Sequence, residues 1–176
     1  MTSDAPPVFS LPAALISCGY SLRPETGADA EFLLTLYAST REIELQAAPW
    51  TEQQKRIFLA DQFRLQQRHY RTHIPNCSFE LIALREAAVG RLYLEPRRTQ
   101  LYVVDIALMP ARRGQGVGTA IMRALQAAAR ASGRGVGIMV EKFNPALRLY
   151  RRLGFTEVAD HEVYVEMEWL PGSIFN

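Results

Sequence analysis

Pro110-Ala111-Arg112-Arg113-Gly114-Gln115-Gly116-Val117-Gly118-Thr119 separates two apolar runs of different period. Before it, Gln100 to Leu108 is rich in β-branched and aromatic residues and ends at Pro110, which predicts a strand. After it, Val117, Ile121, Leu125 and Ala128 recur at helical spacing, with Arg123, Gln126 and Arg130 on the wet side. The segment is therefore a strand–loop–helix junction with glycine at alternate positions. Such glycines let the backbone turn tightly and bring several N–H groups onto one anion. The helix start adds its own unpaired N–H groups and the positive end of its dipole, worth about 0.3–1 kcal/mol to an anion there. A phosphate flanked by Arg112 and Arg113 fits this chemistry; a purely structural turn is the alternative.

The spacing excludes two phosphate loops. A nucleotide P-loop needs Gly-Lys-Ser/Thr after four intervening residues, and no such run exists. A dinucleotide loop needs a third glycine where Thr119 stands, within an N-terminal strand–helix–strand unit that the chain lacks.

Outward from the loop, Gly133 and Gly135 end the helix and Val136 to Val140 reads as a buried strand. Ala146 to Leu153 is a short helix closed by Gly154, and Phe155–Ala159 and Val163–Trp169 are two further strands. Towards the N-terminus, Ser78–Leu84 and Val89–Leu94 alternate and are joined through Arg85-Glu86-Ala87-Ala88. Two helices precede them. One runs from Ala28 to Ser39; the other is capped by Thr51 with Gln54 and continues to about His73, with Leu59, Phe63 and Tyr70 inward. Its row of Lys55, Arg56, Arg64, Arg68 and Arg71 reads as a solvated face. Ser21 to Arg23 is a candidate first strand. The expected organisation is a Pro-rich flexible arm over residues 1–19, one domain over 20–170 and a tail over 171–176. The predicted fold class is a single α/β domain with a mixed central sheet of about six to seven strands.

The chain has 176 residues, net charge +2, 48% hydrophobic and 22% charged residues, which excludes a disordered chain, a coiled coil and a collagen-like repeat. That charge is too small to argue for nucleic acid or an anionic membrane. Cys18 and Cys77 show neither metal-ligand spacing nor a disulfide framework. Leu15-Ile16-Ser17-Cys18 looks like a lipoprotein cleavage site, but no basic residue precedes it and Pro6, Pro7 and Pro12 break the apolar run, so a cytoplasmic location is expected.

Arg113-Gly114-Gln115-Gly116-Val117-Gly118 resembles the acyl-CoA pyrophosphate loop of the GNAT N-acetyltransferase superfamily. Asn144-Pro145-Ala146-Leu147-Arg148-Leu149-Tyr150-Arg151-Arg152-Leu153-Gly154-Phe155 resembles the family's second cofactor segment, at the expected distance. The resemblance extends from about residue 78 to 169. It implies helices on both faces of the sheet and a splayed parallel strand pair, in which the strand bearing Ile106 to Leu108 parts from Val136 to Val140 and the acetyl-CoA arm enters. Ala107 and Leu108 would contact that arm. Arg113, Gly114, Gln115, Gly116, Val117, Gly118 and Thr119 would hold the pyrophosphate, and Asn144 would reach the cofactor from the far side unless it only caps a helix. An oxyanion donor would come from a backbone N–H near Leu108.

By the same resemblance Tyr150 is a general acid for the leaving thiolate, although its helical spacing with Ala146, Leu149 and Leu153 also suits a core aromatic. Asp105 is the candidate acid near the amine; partnership with an arginine is its other reading. Val104 stands where some relatives place a glutamate base, which leaves the base open. Glu42 and Glu44, expected between the first two helices beside Trp50, and Glu162, Glu166 and Glu168 on the last strand with Tyr164, are weaker candidates. His69 and His73 lie one turn apart without a third ligand, so no metal is expected. The implied activity is transfer of acetyl from acetyl-CoA to a primary amine by direct attack, with a small-molecule acceptor favoured. Protein lysine or N-terminal acetylation and a non-catalytic acyl-CoA-binding module are the alternatives, and a homodimer is a possible state.

Overall fold

A computed structural model describes residues 9–172. They form α1 (Ala13–Ser17), β1 (Tyr20–Pro24), α2 (Ala30–Gln46), α3 (Glu52–His73), β2 (Ser78–Leu84), β3 (Ala87–Pro96), β4 (Gln100–Leu108), α4 (Val117–Ala131), β5 (Gly135–Glu141), α5 (Leu147–Arg152), β6 (Thr156–Asp160) and β7 (Tyr164–Trp169). The strands make one seven-stranded sheet in the order β1-β2-β3-β4-β5-β7-β6. Every neighbouring pair is antiparallel except β4 and β5. Those two run parallel because α4 carries the chain back across the sheet between them.

Strand alternation divides the core into two faces. Leu92, Leu94, Leu101 and Val103, with Val136, Ile138 and Val140 of β5, pack with Ile121, Met122, Leu125 and Ala129 of α4. Each of these apart from Ala129 contributes about 1.5–3 kcal/mol on burial. On the opposite face α2 buries Leu33, Leu36 and Tyr37 beside β3 and β4. The 22-residue α3 lies on this second face too, capped by Thr51 and Gln54 as its sequence predicts, but it contains no buried residue. Leu59, Phe63 and Tyr70 are only half-buried. What fastens α3 is largely polar: Tyr70 to Asp105, Gln66 to Arg91 and Arg71 to Glu25.

Three expectations are corrected. The N-terminal segment is not an extended arm as far as residue 19: α1 forms there, and Phe9, Leu11 and Leu15 are buried in the α4-side core. The prolines hid this by breaking the apolar pattern, while residues 1–8 lie outside those described, as do 173–176 of the expected tail. The first long helix does not stop at Ser39; it continues to Gln46 because Leu45 finds a buried seat. Glu42 and Glu44 consequently lie on α2 itself, exposed, rather than between the helices. Third, Arg71 is not simply solvated, since it joins the buried Glu25 carboxylate and lies over the Phe79 ring at 4.7 Å.

Candidate active site

The parallel ladder between β4 and β5 is short: it begins at Gln100 and Gly135 and ends at Val103 and Ile138. On its other side β4 carries a bulge, for Tyr93 faces Asp105 while Leu94 faces Val103, leaving Val104 as the extra residue. An extra residue twists a strand and turns it away from its neighbour. From Asp105 to Leu108, β4 therefore has β3 on one side and an open edge on the other. β5 meanwhile continues along β7 as far as the Glu141–Tyr164 pair. The two strands enclose a cleft whose walls are unpaired backbone.

The polarity of that edge follows from alternation. The Met109 N–H donates to the Val89 carbonyl at 2.8 Å, so the Leu108 N–H turns the other way, into the cleft. The Leu108 carbonyl, on the same side, accepts from Arg113 Nε at 2.8 Å. Arg113 also donates through Nη2 to Ser39 Oγ at 2.9 Å, tying the end of β4 to α2. One backbone donor is thus presented while its carbonyl is occupied.

Beyond a single 3-10 turn over Pro110–Arg112, the loop passes through Gly114 and Gly116 at φ +69° and +82°, left-handed conformations that favour glycine. A Cβ at Gly114, Gly116 or Gly118 would meet nothing within 4 Å, so the loop encloses open space rather than packing on the body. The Gln115 side chain closes it by donating to the Ala111 carbonyl at 2.7 Å. The Ala120 N–H makes the first helical bond, to Gly116 at 2.9 Å, which leaves the N–H groups of Val117, Gly118 and Thr119 without helical partners. The Val117 side chain is itself buried in the core, and the first turn of α4 carries no acidic residue. An open, donor-lined cradle at the positive end of a 15-residue helix suits a phosphate group.

Tyr150 is 5% exposed, its ring 5.8 Å from that of Phe155. Its hydroxyl makes no hydrogen bond with a described residue. Burial, and secondarily the Asp105 charge, raise its pKa above the ordinary phenol range, so it stays protonated. Asn144 Oδ1 accepts from the Ala146 N–H at 2.9 Å, which makes Asn144 a cap for the turn leading into α5.

Asp105 faces α3. Its Oδ2 accepts from Arg91 Nη2 at 2.7 Å and from the Tyr70 hydroxyl at 3.0 Å. Tyr70 in turn is pushed up by burial first and by Asp105 second. The arginine partner offered as the other reading of Asp105 is Arg91, which the sequence did not single out, and Tyr70 was placed inward without being linked to Asp105. The signal was present, since Arg91 is a lone charge among Val89, Leu92, Tyr93 and Leu94. Also missed was Arg41, which bonds Glu44 at 3.0 Å and Glu141 at 2.9 Å and so joins α2 to the end of β5. Glu166 and Glu168 lie on one face of β7 with Tyr164, half-buried, and Glu166 faces Met139. His69 and His73 stack at 4.5 Å on the exposed side of α3, and no group of three or more metal-capable side chains occurs among the described residues. Burial pushes the Cys77 thiol up to about 12, away from nucleophilic chemistry.

A family model described as an acetyltransferase (GNAT) domain matches residues 77–157, the span from β2 to β6 that holds the cleft, the glycine loop and Tyr150. Residues 77–157 thus match the GNAT acetyltransferase domain. Solved GNAT structures share its fold at low identity. The PaiA N-acetyltransferase of Thermoplasma acidophilum, in complex with coenzyme A, is 12% identical with a TM-score of 0.63, covering 86% of this chain and 99% of its own. Ard1 of Thermoplasma volcanium is 18% identical at a TM-score of 0.56, covering 86% and 97%. Spermidine N-acetyltransferase of Vibrio cholerae, in complex with CoA and spermine, is 19% identical at a TM-score of 0.55, covering 86% and 95%. No curated protein sequence matches the chain. No helix among the described residues is long and apolar enough to cross a membrane.

Proposed function

We propose that this protein transfers the acetyl group of acetyl-CoA to the primary amine of a small molecule. The observation that carries the reading is the β4–β5 cleft opening beside the glycine cradle, to which the buried Tyr150 of α5 would add a phenol. In this reading the N–H groups of the Gly114–Thr119 segment hold the pyrophosphate. The pantetheine arm pairs with the free edge of β4 at Ala107 and Leu108, as an added strand does. Asn144, whose Oδ1 is engaged in its cap, offers only its amide Nδ2 to the cofactor.

The amine nitrogen attacks the thioester carbon; a C–N bond forms and the C–S bond breaks. The Leu108 N–H faces the developing oxyanion, a role worth about 2.7–4 kcal/mol for one such donor. A phenol held protonated beside a thiol leaving group of pKa about 8.5 donates a hydrogen bond to the departing thiolate and stabilises it, and the thiolate then takes its proton from solvent. The amine proton leaves through the Asp105 side of the cleft. A second reading, a binding module without turnover, is favoured by one observation: Asp105 is already paired with Arg91.

CoA-thiol release from acetyl-CoA is the test, across 1,4-diaminobutane, spermidine, kanamycin, L-lysine and a lysine-bearing peptide, with acetyl-CoA binding measured by calorimetry on the same sample. Release with one of the four small amines supports the proposal. Release with the peptide alone makes the acceptor a protein, and binding without any release favours the module.

A further inference from the structure

Arg91 is only 2% exposed, in the middle of β3. Its Nη2 donates to Asp105 Oδ2 at 2.7 Å and to Gln66 Oε1 at 3.0 Å, while its buried Nε and Nη1 find no partner among the described residues. Its guanidinium carbon lies 5.3 Å from the centre of the Tyr93 ring. The pair contrasts with Arg23 and Asp29 elsewhere in the molecule, a two-pronged bridge with Nη1 and Nη2 on separate carboxylate oxygens at 2.9 and 2.7 Å. A fork matched to both oxygens is the stronger geometry. Arg91 forgoes it, leaves two buried donors without a partner among the described residues and holds a single oxygen, to which Tyr70 adds its own bond. Desolvating a guanidinium costs several kcal/mol, and an apolar pair of similar volume is often no less stable. Fold stability is therefore a poor account of this arrangement. Its distinguishing result is a carboxylate gripped at Oδ2, with Oδ1 making no hydrogen bond to a described residue on the strand that borders the cleft.

We propose that Arg91 is a positioning residue of the acceptor site: it fixes Asp105 through Oδ2 so that Oδ1 is presented to the N–H of the incoming amine. Tyr70 does the same from α3. The assignment rests on the acetyl-transfer reading above and extends it to residues that touch neither substrate. Arg91 pairs in register with Ala107, but its side chain turns to the α3 face and bonds Asp105 and Gln66, so it acts on acceptor binding rather than on the glycine cradle beyond Leu108.

The test is steady-state kinetics with whichever of the panel amines the wild-type protein acetylates, alongside acetyl-CoA calorimetry, for Arg91→Met, Arg91→Lys and Tyr70→Phe. Loss of a charge-assisted hydrogen-bond network should raise the amine KM about tenfold or more in Arg91→Met. The acetyl-CoA Kd should stay within about twofold, the default for a site the mutation does not touch. Arg91→Lys, whose ammonium keeps charge and one donor, should recover most of the KM. Tyr70→Phe, at a half-buried position, should give a smaller rise in KM alone, and it carries the test with Arg91→Lys if Arg91→Met does not fold. An unchanged amine KM in Arg91→Met, or in both remaining variants if it fails to fold, overturns the proposal. So does a loss of acetyl-CoA affinity parallel to the loss in KM that Arg91→Lys does not relieve. Wild-type protein that binds acetyl-CoA but acetylates none of the amines overturns the acetyl-transfer reading and the Arg91 role together, whereas wild-type turnover with an insensitive KM overturns the Arg91 role alone.

Discussion

Gly118→Glu separates cofactor binding from folding. Gly118 is the second residue of α4, and a Cβ there meets nothing within 4 Å, so the side chain enters open space without displacing the body. Replacing a helical glycine recovers about 0.5 kcal/mol of propensity, and an acid in the first turn gains about 0.3–1 kcal/mol from the helix dipole. The fold should therefore be at least as stable as wild type, with a thermal midpoint unchanged or raised by a few degrees, about 2–4 °C per kcal/mol at this size. Ligand binding moves the opposite way. A carboxylate about 5 Å from a phosphate charge, at an effective dielectric near 20, repels it by about 3 kcal/mol. Acetyl-CoA affinity should fall on the order of a hundredfold. Gly118→Gln, of the same length without the charge, should lose much less, and added salt should narrow the difference between the two. Calorimetric titration and thermal unfolding on the same preparations decide the matter. Wild-type affinity in Gly118→Glu would refute the cradle assignment, and so would equal losses in the Glu and Gln variants that salt leaves unaltered.

Tyr150→Phe keeps the packing against Phe155 and removes a hydroxyl that has no described partner; kcat should fall about a hundredfold or more while the acetyl-CoA Kd and the thermal midpoint hold, and an unchanged kcat would return Tyr150 to the status of a core aromatic. Asp29 accepts from Arg23 and Thr26, with Arg23 foremost in holding its carboxyl well below the usual carboxylate range, which stabilises the fold above the unfolded pKa near 4 and loses that effect as pH falls through the lower folded value. Asp29→Asn should accordingly lower the urea midpoint at pH 7 by the equivalent of about 1 kcal/mol, discounted for the exposed Arg23, and the difference should close in acid. Gly90→Ala would place a Cβ 2.5 Å from the Ala107 carbonyl oxygen and 2.8 Å from Leu108 Cδ2. Forcing β3 and β4 apart should cost about 1–3 kcal/mol in urea unfolding and weaken acetyl-CoA binding through the displaced cleft edge.

How much of this was legible in the sequence depended on whether information was local. The strand Gln100–Leu108 and the Thr51–Gln54 capping box could be read to the residue because period, proline and cap act within a few positions. Phe9, Leu11 and Leu15 could not: their burial depends on a core assembled mostly from residues more than sixty positions away, and Pro12 among them breaks any periodic signal. The tight turn of the glycine loop was visible because glycine at alternate positions is what allows its left-handed conformations. The bulge at Val104 was not, since an extra residue in one strand is defined only against its partner, and the partner register follows from the whole sheet. Asp105 was named from the family resemblance, yet what holds it is contributed by α3 and β3, from positions 35 and 14 residues away.

The polar attachment of α3 sets its local dynamics and its evolutionary freedom. With no residue of its 22 buried, its amide hydrogens should exchange through local opening, whereas those of α4, seated on Ile121, Met122 and Leu125, should wait for global unfolding. Substitutions along α3 can then change the wall nearest Asp105 without loosening the helix that carries the phosphate cradle. On the proposed function, the donor cradle then lies on the helix that opens last and the acceptor wall on the helix that opens first.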